Sequence, residues 1–144
     1  MNDKIMFGVS TSSYQIEGAV HEDGRTDCIW DTYSKEFGNI LNGDTGEAAC
    51  DHYHRYREDI GLIRELGADI YRFSISWNRI YPEKDRYNPS GMAFYRNLLK
   101  ELKEKEIKAC VTIYHWDLPQ WAQNLGGWEN RECVAWYLQF AEKL

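Results

Sequence analysis

A strictly alternating run of apolar and polar residues at positions 68–77 constrains the fold of this chain more than any other feature. Every second residue from position 71 is apolar, and these side chains would share one face of an extended segment: Tyr71, Phe73, Ile75 and Trp77. The residues between them are polar: Arg72, Ser74 and Ser76. A period of two predicts a β-strand with one apolar and one polar face.

Amphipathic helices are predicted on both sides of this strand. Residues 52–66 carry apolar side chains at helical spacing, and Gly67 follows as a helix end; the stripe is Tyr53, Tyr56, Ile60 and Ile63. Asn88-Pro89 opens a second helix, whose stripe is Met92, Tyr95, Leu99 and Leu102. The strand therefore belongs to a chain in which strands and helices alternate.

The remaining segments extend this alternation. Residues 7–13 and 109–116 are strand-like, and residues 24–49 are predicted to form a long loop with turn signals. A last helix begins near Asn130 and places Val134, Leu138 and Ala141 on its apolar side. The resulting order is strand, long loop, helix, strand, helix, strand, helix, which predicts parallel strands joined by right-handed crossovers.

The polar face of the central strand favours one α/β architecture over another. A central strand of a doubly wound sheet is apolar on both faces, whereas this strand carries Arg72, Ser74 and Ser76 on one side. We therefore predict a TIM (β/α)8 barrel, with helices on the apolar side. Such a barrel needs about 250 residues, so residues 1–144 are expected to supply about the first three βα units of a single barrel that is incomplete at the C-terminus.

Composition excludes several classes of partner. The formal net charge is −6 and no basic stripe is present, which argues against nucleic acid. No segment reaches the roughly 18 apolar residues of a membrane span, and residues 1–10 lack a signal h-region, so we expect a cytoplasmic protein. The four cysteines form no Cys-x-x-Cys pair; we predict buried free thiols and no metal site.

Chemically informative side chains follow the predicted strands. Gln15 follows the first, and His115 and Trp116 follow the third. In a barrel these ends converge on the active site. An amide can bond vicinal sugar hydroxyls and an aromatic ring can cover the C–H face of a sugar, so these residues indicate carbohydrate binding. An aromatic content of 15% agrees with a stacking surface.

Three segments together resemble glycoside hydrolase family 1, the retaining β-glucosidases and β-galactosidases: FGVSTSSYQIEGA, DHYHRYREDIGLIRELGADIYRFSISWNRIYP and TIYHWDLPQW. The resemblance implies that Gln15 holds hydroxyls of the non-reducing sugar and that His115 and Trp116 surround the same ring. It also implies that Arg72 stands beside the nucleophilic carboxylate. Enzymes of this family need no cofactor and no metal.

The same resemblance predicts what is missing. The two catalytic glutamates of the family lie in an Asn-Glu-Pro and a Glu-Asn-Gly segment, and neither segment occurs here. We expect both beyond Leu144, no catalytic residue within this chain, and no activity of the chain alone. The expected partner is a β-glucoside or related saccharide, with self-association or a need for the rest of the barrel. The alternatives are a 6-phospho-β-glucosidase and a non-catalytic sugar-binding or complementing piece.

Other polar residues have simpler interpretations. Asp117 follows a strand as a catalytic acid could, but Asp before Leu-Pro more often fixes a turn. His52 and His54 point about 200° apart on a helix, which argues against a metal pair. Glu17 and Asp51 are expected to anchor the loop and the helix start, respectively.

Overall fold

The computed structural model describes residues 5–144 and consists of alternating strands and helices. The elements in chain order are β1 (Gly8–Ser10), α1 (Ser13–Ile16), a 3-10 turn (Glu22–Gly24), α2 (Ile29–Lys35), α3 (His52–Glu65), β2 (Ile70–Ser74), α4 (Trp77–Ile80), α5 (Pro89–Glu104), β3 (Lys108–Thr112), α6 (Gln120–Asn124), a second 3-10 turn (Gly127–Glu129) and α7 (Glu132–Lys143).

The three strands form one parallel sheet in the order β1-β2-β3. Tyr71 of β2 is in register with Val9 of β1 and with Ala109 of β3. The predicted parallel pairing is confirmed, with α3 lying between β1 and β2 along the chain and α5 between β2 and β3. The carboxyl ends of all three strands therefore lie at the same edge of the sheet.

The two long helices have the predicted ends. Gly67 follows α3 with a left-handed φ of 74°, which a glycine adopts without a steric penalty. Asn88 caps α5, because its side chain accepts a hydrogen bond from the Ser90 amide at 3.2 Å and Pro89 occupies the first turn. The stripe of α5 needs one correction: Leu98 is buried where Leu99, 38% exposed, was predicted.

Strand β2 packs its apolar face into the core, as predicted. Tyr71, Phe73 and Ile75 are buried in a cluster with residues of α3 and α5. On the opposite face Arg72 is exposed and Ser74 is buried, while Ser76 is buried beyond the end of the strand. The prediction of a continuous polar face toward a cavity is therefore wrong for the two serines, because neighbouring segments cover them and accept or donate their hydrogen bonds.

The last helix buries its aromatic face. Val134 and Leu138 are 54% and 53% exposed, while the buried residues of α7 are Cys133, Trp136 and Phe140. Phe140 stacks on Trp77 with ring centroids 5.3 Å apart and planes within 8°. This aromatic contact orients the helix, so Val134 and Leu138 of the aliphatic stripe lie on its exposed side.

Two further predictions differ from the structure. Residues 24–49 were predicted as a loop, but they contain α2, in which the Asp31 carboxylate accepts a hydrogen bond from the Cys28 amide at 2.8 Å and so caps the helix. Cys28 and Cys133 are buried free thiols as predicted, but Cys50 and Cys110 are exposed.

Among residues 5–144, no helix is both long enough and apolar enough to cross a membrane. The segment predicted to lack a signal sequence begins with residues 1–4, which lie outside the described part of the chain.

Candidate functional site

A cavity of about 320 Å³ opens where the first and third strands end. Its lining residues are Ser12, Tyr14, Gln15, Trp30, His115 and Trp116. Gln15 comes from α1, directly after β1, and His115 and Trp116 come from the turn that follows β3. The structure thus brings Gln15 together with two side chains that lie 100 and 101 positions later in the sequence, at the edge of the sheet where the carboxyl ends of the strands meet.

Two aromatic residues of this cavity were not predicted. Tyr14 and Trp30 have ring centroids 6.5 Å apart, and the Tyr14 hydroxyl donates a 3.3 Å hydrogen bond to the Trp30 carbonyl. Trp30 lies on α2, in the segment that was interpreted as a loop. The signal that could have revealed it is an aromatic residue in a helical turn next to the capping Asp31, so the error in α2 also hid a wall of the cavity.

Trp116 presents its ring to solvent. The side chain is 71% exposed, and its backbone has a left-handed φ of 72°. This conformation is uncommon for a bulky residue and persists only where the surrounding structure holds it. An exposed indole held in this way offers a flat apolar face at the mouth of the cavity.

Arg72 does not line the cavity and lies on the face of the sheet opposite the buried Tyr71 and Phe73. Its Nε donates to Thr112 Oγ1 at 2.9 Å and its Nη1 donates to Ser10 Oγ at 3.3 Å. The guanidinium therefore spans all three strands. Within residues 5–144 no ion pair involves Arg72, so its positive charge is available to an anion placed over this face.

A buried polar cluster connects the two segments that carry the cavity residues. The Ser13 hydroxyl donates a 2.5 Å hydrogen bond to Asp117 Oδ2, and Ser74 Oγ donates to Ser13 Oγ at 3.1 Å. All three side chains are buried. Burial raises the pKa of the Asp117 carboxyl, although the Ser13 hydrogen bond opposes this shift. The predicted role of Asp117, fixing its own turn through backbone amides, is not what these contacts show, because its side chain bonds Ser13 of another segment.

The rear of the Gln15 turn is fixed by a buried ion pair. The Glu17 carboxylate accepts from Arg79 Nε at 3.1 Å and from the Tyr95 hydroxyl at 2.6 Å. Arg79 also lies over the Tyr53 ring, 4.2 Å from its centroid. These contacts attach the end of α1 to α4 and α5 and agree with the anchoring role predicted for Glu17.

The two histidines of α3 lie next to different carboxylates. His52 Nδ1 lies 2.6 Å from Asp59 Oδ2, whereas His54 lies between Asp51 and Glu22. In the part of the chain that the structure describes, no group of three or more His, Cys, Asp or Glu residues could hold a metal ion.

Comparison with known proteins identifies the family. The sequence model of the family described as Glycosyl hydrolase family 1 matches residues 1–144. β-Glucosidase A of Acetivibrio thermocellus is 49% identical over 138 residues, which are 95% of this chain and 31% of that protein.

Solved structures give the same result. The GH1 β-glucosidase from Exiguobacterium antarcticum B7 superposes with a TM-score of 0.95 at 54% identity, covering 99% of this chain and 32% of that one. The β-glucosidase from Thermotoga maritima in complex with glucoimidazole superposes with a TM-score of 0.93 at 51% identity. The match covers 96% of this chain and 32% of that one.

These comparisons also settle the architecture. The chain spans about a third of the length of the relatives it matches, and its parallel sheet corresponds to part of their (β/α)8 barrels. The predicted TIM-barrel class is therefore confirmed. With a family match over its whole length, the chain belongs to glycosyl hydrolase family 1.

Proposed function

We propose that this chain supplies the sugar-holding part of a retaining β-glycosidase that hydrolyses β-glucosides. The observation that carries the proposal is that Gln15, His115 and Trp116, from two separate turns, line one cavity. A cavity of about 320 Å³ is of the size that small ligands occupy. The proposed occupant is the non-reducing sugar ring of the substrate.

The chemistry of the lining suits a hexose. The Gln15 amide has both donors and an acceptor, so it can bond two neighbouring hydroxyls. His115 adds a ring nitrogen to the polar side of the cavity. Trp116 and Trp30 supply aromatic faces on which the C–H groups of the ring can pack. This combination of polar edge and aromatic wall supports a carbohydrate ligand.

The relatives support the substrate class. The protein from Acetivibrio thermocellus is named β-glucosidase A, and the Thermotoga maritima enzyme is described in complex with glucoimidazole. We carry β-glucoside hydrolysis over from these names to the complete protein to which this chain corresponds. For this chain we infer sugar binding only.

The reaction itself needs groups that the cavity lacks. Retaining glycosidases use two carboxyl groups about 5–5.5 Å apart, one as nucleophile and one as general acid and base. Of the described residues that line the cavity, none carries a carboxyl group. We propose that the carboxylates come from the remainder of the barrel and that Arg72 stabilises the nucleophile as an anion. Its exposed guanidinium without an ion pair supports this role.

The cavity favours unphosphorylated sugars over the 6-phospho alternative. No Lys or Arg occurs among the described residues that line it, and a sugar phosphate is usually held by such cations. We also propose a cytoplasmic location, which the exposed free thiols of Cys50 and Cys110 support because a reducing compartment preserves them.

The test joins residues 1–144 to the remaining segment of the Thermotoga maritima β-glucosidase. Release of nitrophenol from an aryl β-glucoside and from its 6-phosphate is followed for the joined protein and for the 144-residue chain alone. We expect the joined protein to prefer the unphosphorylated substrate and to retain the anomeric configuration, as seen by proton NMR. Turnover by the chain alone, inversion, or a preference for the phosphorylated substrate would contradict the proposal.

A further inference from the structure

The two turns that form the cavity are linked by side chains across the middle strand. Ser13 stands two positions before Gln15, and Asp117 stands two positions after His115. The Ser13–Asp117 hydrogen bond of 2.5 Å joins residues 104 positions apart. It therefore connects the Gln15 side of the cavity directly to the His115 side.

The link crosses the space that β2 occupies between β1 and β3. Neighbouring strands lie about 4.8 Å apart, so β1 and β3 are separated by about 10 Å across β2. Ser74, the last residue of β2, fills the space between them: its Oγ accepts from the Ser13 amide at 2.8 Å and donates to the Ser13 hydroxyl at 3.1 Å. The donors therefore run in one direction, from Ser74 through Ser13 to Asp117.

The link is rigid because it is buried. The exposed fractions of Ser13, Ser74 and Asp117 are 3%, 1% and 1%. In a dry environment a hydrogen bond is stronger than in water, and few alternative partners are available to its groups. The link thus fixes the separation of the two turns more firmly than a surface contact could.

Other contacts hold the third-strand turn without Asp117. The Leu118 carbonyl accepts from the Ile29 amide at 2.9 Å, and the Gln120 amide donates to the Asp27 carbonyl at 2.9 Å. These backbone bonds do not depend on the Asp117 side chain. Removing that side chain is therefore expected to loosen the position of His115 and Trp116 relative to Gln15 while the turn itself persists.

We propose that Ser13 and Asp117 are positioning residues that set the distance between Gln15 and the His115-Trp116 pair, and hence the fit of the sugar. This inference rests on the proposed function. Neither side chain lines the cavity, so both act through the residues beside them. Displacement by about 1 Å can cost up to about a hundredfold in rate, which makes such a link consequential.

The test is a double-mutant cycle between Asp117 and Gln15 in the joined protein, with the inhibition constant of glucoimidazole as the readout. We expect Asp117→Ala to weaken inhibition about 10-fold on the wild-type background. On the Gln15→Ala background the effect should be much smaller, because the amide that Asp117 positions is no longer present. Asp117→Asn keeps an oxygen that accepts from Ser13 and should restore most of the affinity. Ile60→Val, a buried change in α3, should leave the inhibition constant unchanged.

Separate outcomes overturn the separate claims. If wild-type joined protein binds glucoimidazole and Gln15→Ala weakens it, but the Asp117→Ala effect is absent or equal on both backgrounds, the positioning inference is wrong. If wild type does not bind glucoimidazole, or Gln15→Ala leaves binding intact, the proposed function fails instead.

A second measurement uses NMR of the joined protein and does not depend on the inhibitor. The NMR signals of the Gln15 side-chain amide and the Trp116 indole should shift in Asp117→Ala and in Ser13→Ala, but not in Ile60→Val. Unchanged signals in both variants would overturn the link between the two turns.

Discussion

Glu17 and Arg79 form an ion pair in which Arg79 Nε lies 3.1 Å from Glu17 Oε2, and both side chains are buried. Arg79 Nη2 also donates to the Gly18 carbonyl at 3.3 Å. Because Glu17 directly follows the short helix that carries Gln15, the pair determines where the rear of the cavity lies. The stability of the chain and the geometry of its candidate site therefore share one contact.

Truncation of this pair should be costly. Arg79→Ala leaves Glu17 buried without its cation, which costs about 3–5 kcal/mol in comparable buried pairs. The measurement is the free energy of unfolding of the joined protein in urea. Lys100→Ala, which removes an exposed ion pair with Glu104 on α5, is the matched control and should leave the unfolding midpoint unchanged. Equal midpoints for the two variants would contradict the role assigned to the buried pair.

Stability should depend on the protonation of His54. Hydrogen bonds to Asp51 and then to Glu22 raise the pKa of His54 above 6.5, its unperturbed value. The protonated ring donates to both carboxylates, so its contribution is fully present below pH 6.5 and is lost as the pH rises through the raised pKa. We expect the urea midpoint of the joined protein to fall over this range in wild type and to vary less in His54→Gln. Parallel pH profiles would refute the prediction.

Trp116 should contribute to binding and not to stability. Since Trp116 is 71% exposed, Trp116→Ala should leave the thermal midpoint of the joined protein unchanged. Loss of an aromatic face under the sugar should weaken glucoimidazole inhibition of the joined protein about 10-fold. Trp128, which is 49% exposed but does not line the cavity, provides the control substitution Trp128→Ala. A larger effect on affinity from Trp128 than from Trp116 would place the sugar elsewhere.

The 144-residue chain should self-associate when it is purified alone. Strand β3 is an edge of the described sheet, and Val111 and Ile113 on or next to it are 39% and 36% exposed. Unpaired edges with exposed apolar residues promote association. Light scattering should show oligomers that Val111→Lys reduces, whereas Leu66→Lys, at an equally apolar site after α3, should not. A monodisperse wild-type monomer with a cooperative thermal transition would contradict this expectation.

Local patterns predicted the elements whose packing is determined by their own sequence. The alternation around Phe73 and the helical stripe around Ile60 correspond to buried faces. Where two faces of a helix are apolar, pattern alone could not choose. Helix α7 offers an aliphatic and an aromatic face, and the contact of Phe140 with Trp77 determines which is buried.

The candidate site could be predicted only in part for a similar reason. Gln15, His115 and Trp116 follow predicted strands, and parallel pairing brings strand ends together. Trp30 was missed because turn signals around α2 obscured a short helix. The Ser13–Asp117 bond joins residues 104 positions apart, and no local pattern encodes such a contact.

The affinity of the joined protein for glucoimidazole after substitution of Gln15 tests the central claim most directly. Gln15→Ala should weaken inhibition by about 10- to 100-fold, because the hydroxyl groups that it bonds lose a donor and an acceptor. Gln139→Ala, on the exposed side of α7, should leave the inhibition constant unchanged. If Gln15→Ala and wild type bind glucoimidazole equally well, the cavity between the two turns is not the sugar site.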